Sequence, residues 1–196
     1  RAKGFKNMYV EVDGYNSTET GASTITGKHK VSFKSEGKPV VETEVNFSKA
    51  RLDITNAEIK KEKEGSRHSV VVNGIESNVS IEKTVYLEKE NKDSSVCVVD
   101  KEIESISEMS RHCDGEDEYY FSDCDGKTKD GITCDIEDGD FKISGLEHSA
   151  VAELNFTGLY TGYFTVQYTN KVNSHREGYI MPGESVKLCF ETPRSI

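Results

Sequence analysis

Tryptophan is absent from this chain, proline occurs only three times, and no apolar run approaches the ~18 residues a helix needs to cross a bilayer. Without Trp, no aromatic cluster among the nine Tyr and eight Phe marks a sugar-binding platform. So few prolines exclude a proline-rich spacer. The missing apolar run excludes direct membrane insertion as a helix in this segment. Basic charge is also scarce. Lys and Arg total 25 against 35 Asp and Glu, for a net charge of −10. Phosphate binding needs a basic face, so nucleic acid is not an expected partner, and anionic membrane surfaces are disfavoured. The same charge suits divalent cations and self-repulsion between copies. The chain begins at Arg1 without Met or a signal h-region, which reads as an ectodomain or processed product.

Catalytic patterns are missing as well. The five histidines are His29, His68, His112, His148 and His175, and none belongs to an HExxH or HxH arrangement. There is no GxSxG, no P-loop and no dinucleotide fingerprint. Ser149 follows His148, but neighbours on a strand point to opposite faces, so the two do not form a pair. A non-enzyme is expected.

What is present is strand after strand. Met8-Tyr9-Val10-Glu11-Val12, His29 to Lys34 and Val41-Glu42-Thr43-Glu44-Val45 alternate with period two. Ser69-Val70-Val71-Val72 is a short apolar run ending at Asn73-Gly74, a hairpin signal. Thr84 to Leu87, Phe141 to Ile143, Val151 to Leu154, Phe164 to Tyr168 and Ser185 to Phe190 continue the series. Signals at intervals of roughly 8–15 residues, divided by Gly, Asn, Asp and Ser, predict antiparallel β-sandwiches. The fold class is therefore all-β, immunoglobulin-like, with a small disulfide-bonded lobe. Cysteine appears only in the second part of the chain. This predicts a sandwich over residues 1–83 and a second β domain over 84–196, with the cysteine-rich lobe (about 95–140) inserted.

Two segments read as exceptions. Ile103, Ile106 and Met109 share one face of a short helix over Glu102 to Met109, packed under the loop between Cys97 and Cys113. Glu58 to Glu64 carries a single apolar residue, Ile59, and reads as a solvated hairpin tip closed by Gly65-Ser66 rather than a helix.

Cys97, Cys113, Cys124 and Cys134 lie in acidic Asp-Gly-rich sequence, at gaps of 15, 10 and 9 residues. Zinc usually brings paired Cys-x2–4-Cys knuckles, and none occurs. Disulfides are the leading reading, zinc and a reactive thiol its rivals. Of three connectivities, Cys97–Cys113 and Cys124–Cys134 close the shortest loops, each worth about 3 kcal/mol in the chain-entropy model. Cys189 shares a strand face with Lys187 and Glu191 and reads as a covered free thiol or an intermolecular bridge.

Asp123, Asp125 and Asp130 place carboxylates in the Asp-Gly stretch, and calcium is weighed here against plain turns. Apart from this candidate calcium, no cofactor is expected. Sequons stand at Asn16, Asn46, Asn78 and Asn155 and, with the cysteines, point to a glycosylated extracellular chain.

The stretch Lys83-Thr84-Val85-Tyr86-Leu87 … Val96-Cys97-Val98-Val99-Asp100 … Cys113-Asp114-Gly115 … Cys124-Asp125-Gly126 … Thr133-Cys134 … Ile143-Ser144-Gly145-Leu146-Glu147-His148-Ser149 resembles a module of archaeal cell-surface and secreted proteins. In those proteins the module sits among immunoglobulin-like β-domains. Pro182-Gly183-Glu184-Ser185-Val186-Lys187-Leu188-Cys189-Phe190 is similar to the close of such domains. The resemblance covers about a third of the chain, implies an extracellular architectural or adhesive part, and carries over no catalytic residue.

The expected function is a structural or adhesive module of a cell-surface filament, surface layer or adhesin, with other copies of itself or other surface proteins as partners. Two alternatives stand beside it: a calcium-dependent ligand-binding module, and an accessory domain of a secreted hydrolase. Residues 1–13 have two readings. They add as a strand to a neighbouring copy, or they complete their own sandwich.

Overall fold

The computed structural model describes residues 1–16, 25–92 and 95–154. The strand patterns at 164–168 and 185–190, Cys189 and the sequon at Asn155 lie outside these residues. Along the chain the strands are β1 (Ala2–Lys3), β2 (Met8–Val12), β3 (Tyr15–Asn16), β4 (Lys28–Ser35), β5 (Lys38–Asn46), β6 (Leu52–Asp53), β7 (Glu58–Glu64) and β8 (Arg67–Asn73). They continue as β9 (Glu76–Ser77), β10 (Lys83–Glu88), β11 (Ser95–Val99), β12 (Glu118–Phe121), β13 (Lys127–Lys129), β14 (Ile132–Glu137), β15 (Asp140–Leu146) and β16 (Ser149–Leu154). No helix among the described residues is long and apolar enough to cross a membrane.

Two sheets hold nearly all of these strands. One has six, in the order β1-β7-β8-β16-β11-β12, and the other eight, in the order β13-β14-β15-β10-β5-β4-β2-β3. All pairings are antiparallel except β1 with β7. The period of two decides what meets what. Ile59, Val70, Val72, Val96, Val98 and Val151 of the first sheet share a core with Val31, Phe33, Val41, Val45, Val85, Leu87, Phe141 and Ile143 of the second. This is an all-β antiparallel sandwich, with more strands than the roughly seven to nine of an immunoglobulin domain.

The outer face of the eight-stranded sheet is polar. One registered row runs Glu11, Ser32, Glu42, Thr84, Ser144, Thr133, Thr128, one residue per strand. Cross-strand bonds stitch it together, with Ser32 Oγ donating to Glu42 at 3.0 Å and Thr84 Oγ1 to Ser144 at 3.2 Å.

A domain boundary at 83/84 does not divide the chain. β10 starts at Lys83 and pairs with β5 on one side and β15 on the other, so residues before and after the expected boundary share sheets and core. Nor are residues 95–140 an inserted lobe. β11 and β12 extend the six-stranded sheet, and β13 and β14 extend the eight-stranded one. The physical reason is that the cysteine region has apolar alternation of its own, and that alternation is used to complete the common core.

Residues 1–13 complete their own sandwich. β1 joins one sheet and β2 the other, and Phe5, Met8, Val10 and Val12 pack against the core. Glu58–Glu64 is a full strand that turns at Gly65-Ser66 into β8 and buries Ile59. Asn73-Gly74 is not a hairpin turn. β8 leaves its sheet there, and a Cβ on Gly74 would lie 2.2 Å from the Asn56 carbonyl oxygen, so the position needs glycine.

Candidate functional site

The residues that carry the most polar chemistry gather at three places: the outer face of the six-stranded sheet, and the two ends of the core. The outer face holds Ser69, Val71, Cys97, Val99, Ala150 and Ala152, and all are fully buried. Segment 100–117 covers them. Its Ile103, Ile106 and Met109 are buried as one stripe, as the sequence spacing implies. Only Ile106–Glu108 is helical, however, as one 3₁₀ turn with Ser105 and Glu108 forming a capping box. A longer α-helix would need the carbonyls of Ile103 and Glu104. These accept instead from Asn73 Nδ2 at 2.8 Å and Lys60 Nζ at 3.1 Å. Arg67 binds the Ser110 carbonyl at 3.0 Å, and Glu62 accepts from the Ile106 N–H at 2.8 Å and the Ser105 hydroxyl at 3.0 Å. Four side chains of β7 and β8 thus hold the segment like a latch.

The disulfide Cys97–Cys113 fastens the same segment to β11, with Cα atoms 5.6 Å apart. Cys113 sits at positive φ in a tight loop wound around the Glu118 carboxylate. That carboxylate accepts from Ser110 N–H at 2.7 Å and Gly115 N–H at 3.0 Å. The second disulfide, Cys124–Cys134, fastens the crossover from β12 to β14, and Cys134 belongs to the core. Beside it Lys129 donates to the Tyr120 carbonyl and lies 5.3 Å from the centre of the Phe121 ring. The two bridges thus close two different seams, and neither belongs to an independent lobe.

Cys97, Cys113 and Glu118 form the one cluster of potential metal ligands among the described residues. The two sulfurs are bonded to each other and offer no thiolate, so this donor set does not suit zinc. Asp123, Asp125 and Asp130 do not converge. Asp123 pairs with Lys127, whose ammonium holds its carboxyl below the ordinary range. Asp130-Gly131 forms a two-residue hairpin turn with both residues at positive φ, as does Asp138-Gly139.

At one end of the core the β10–β11 crossover folds over a buried polar pair. His68 Nε2 lies 3.0 Å from Glu153 Oε2 and 2.7 Å from the Glu88 carbonyl. Glu153, fully buried, accepts the backbone N–H groups of Glu90 at 3.0 Å and Asn91 at 2.9 Å. At the other end Lys83, also buried, donates to the Glu147 carbonyl in the β15–β16 crossover. Burial pushes its ammonium pKa below the ordinary value, against the pull of Asp100, Glu147 and Glu102. His148 presents its backbone N–H to Asp100 at 2.6 Å in the same turn.

Sequence reading missed His68, Glu153 and Lys83. The signal was present. Each is in period-two phase with core residues: His68 with Val70 and Val72, Glu153 with Val151, Lys83 with Val85 and Leu87. A charged side chain in core phase at a strand end marks a crossover that must be tied down.

The sequons fall in different settings. Asn16 lies in β3 opposite Glu11. Asn46 ends β5, and its Oδ1 accepts from the Ser48 N–H at 3.1 Å. Asn78 is exposed on the bend after β9, with Oδ1 accepting from the Arg51 N–H at 2.6 Å.

Comparison with protein-family models, with curated proteins and with solved structures gives no match.

Proposed function

We propose that this chain is an extracellular, non-enzymatic β-sandwich module that serves as a structural or adhesive subunit of a cell-surface filament, surface layer or adhesin. The observation that carries this reading is the pair of disulfides, each fastening a segment to the sandwich rather than sitting beside a reactive group. Intramolecular bridges of this kind persist in oxidising compartments. The Glu118 carboxylate next to Cys97–Cys113 disfavours the thiolate that exchange would require, which suits a permanent bridge. His29 and His68 serve the fold. His29 of β4 binds Asp13, in the turn after β2, at 2.6 Å, and His68 ties a crossover. With residues 1–13 committed to their own sandwich, contacts with other copies or other surface proteins use the remaining surface.

The test is made on cells that express the protein naturally. Labelling with a membrane-impermeant amine reagent, followed by native electron microscopy of the released material, is expected to find the chain labelled and in assemblies. A chain that stays unlabelled, with four free thiols at Cys97, Cys113, Cys124 and Cys134, rejects the compartment. A labelled chain that is monomeric at high concentration and on the cell rejects the assembly role.

A further inference from the structure

Beside the Lys83 end of the core lies a cleft of about 420 Å³, lined among others by Asn78, Val79, Ser80, Lys83, Glu102 and Glu147. Two independent features meet there. The first is a complete sequon, Asn78-Val79-Ser80, exposed at all three residues and lying outside any strand. Its carboxamide is held through Oδ1 by the Arg51 N–H at 2.6 Å, so the plane of the amide is set while Nδ2 has no partner among the described residues. The second is Lys83. The residue is only 5% exposed, yet the only acceptor its three N–H groups find among the described residues is the Glu147 carbonyl. A buried ammonium with unused donors at the wall of a cleft calls for a further oxygen ligand.

The other described sequon asparagines are less free. Asn46 stands in the β4–β5 ladder opposite Lys28, its Oδ1 closes a turn onto Ser48, and the Ser48 hydroxyl accepts from the Gly27 N–H at 2.9 Å. Asn16 is paired in β3. A transferase must draw the acceptor asparagine away from the protein body, and Asn78 alone of these three can follow without breaking a ladder.

We propose that Asn78 carries an N-linked glycan whose first sugars lie in this cleft, covering Val79 and accepting hydrogen bonds from Lys83. The inference rests on the extracellular reading above. The donor is a lipid-phosphate-linked sugar. Nδ2 of Asn78 attacks the anomeric carbon, the bond from that carbon to the phosphate oxygen breaks, and the lipid phosphate leaves with the electron pair. A proton passes from Nδ2 to a base of the transferase. The product amide keeps Oδ1 and one N–H, so the bond from Arg51 survives. Val79, 44% exposed, then has the apolar face of a sugar ring to cover it.

The experiment is glycopeptide mapping of protein purified from its natural cells, for wild type and for N78Q expressed in those cells. A sugar-bearing Asn78 peptide, lost in N78Q, is expected. Unmodified Asn78 with glycan at another sequon overturns this inference and leaves the compartment standing. A bare chain with free thiols overturns both. The role of Lys83 is tested by difference. Removal of the glycan should lower Tm by about 2–4 °C in wild type, the effect of one hydrogen-bonded contact in a chain of this size. The same removal should lower Tm clearly less in K83M, where only the cover over Val79 is lost, whatever the stability of that variant. An equal drop in K83M refutes the contact.

Discussion

Replacing Glu153 by alanine is expected to be among the most damaging single changes outside the apolar core. The carboxylate is fully buried and accepts two backbone N–H groups of the β10–β11 crossover while facing His68 Nε2 at 3.0 Å. Alanine removes the side-chain acceptor of those two amides, and it takes from the imidazole its nearer carboxylate, leaving the Glu88 carbonyl at 2.7 Å and the Glu90 carboxylate at 3.7 Å. An unsatisfied buried donor costs about 1–3 kcal/mol, and removing one member of a buried ionisable pair about 3–5 kcal/mol. The expected loss is therefore about 3–5 kcal/mol, against a total stability of about 5–15 kcal/mol for a domain. Urea unfolding with disulfides intact is the assay. With an m-value of about 2 kcal/mol/M, the midpoint should fall by roughly 1.5–2.5 M at unchanged slope. Glu44→Ala is the control. Glu44 meets Lys28 at 2.9 Å on the surface, both side chains are more than half exposed, and such pairs contribute about 0–1 kcal/mol. A loss at Glu153 no larger than at Glu44 would refute the claim that buried charges in core phase hold the crossovers. A double-mutant cycle with His68→Phe adds a second reading, and coupling near zero would also count against it.

Non-reducing peptide mapping should recover Cys97–Cys113 and Cys124–Cys134, and the double variant C97A/C113A should lose roughly 3 kcal/mol while remaining folded, because the latch from β7 and β8 still holds segment 100–117; complete unfolding would show the latch to be inadequate. Deleting residues 1–13 should lower Tm sharply, since β1 and β2 serve both sheets; a folded, equally stable truncation would mean the segment works elsewhere. Glu42 gives the pH dependence. Burial pushes its carboxyl up, but hydrogen bonds from Lys30, Tyr86 and Ser32 outweigh this and leave its pKa below the ordinary value. The fold gains from this group above the unfolded pKa of about 4.3 and loses that gain as pH falls through the folded value. Glu42→Gln should therefore flatten the stability loss below about pH 5, measured by urea midpoints across pH.

Much of the architecture follows from local pattern. Alternation at Met8–Val12, Val41–Val45 and Val151–Leu154 gives strands at those places, because the period of two decides which side chains can be buried together. Asp-Gly pairs at 130–131 and 138–139 give tight hairpins, since aspartate and glycine tolerate the positive φ such turns require. Short loop closure pairs the four cysteines, because nearest partners meet most often. Other features depend on residues far apart in the chain. Strand order is one: β10 lies between β5 and β15, which removes the expected boundary near residue 83. The single turn at Ile106–Glu108 is another. A helical stripe was present, but carbonyls that would have closed the helix are claimed by Asn73 and Lys60, some 30 and 44 residues away. The seating of His68, Glu153 and Lys83 at the ends of the core is the third. Alternation placed each of them on an inward face, but only the crossovers folding over them supplied the amides and carbonyls that make a buried charge tolerable. Local pattern determines which residues point inward, and tertiary structure decides what they meet there, because partners in a sandwich are brought together by sheet order and not by neighbourhood along the chain.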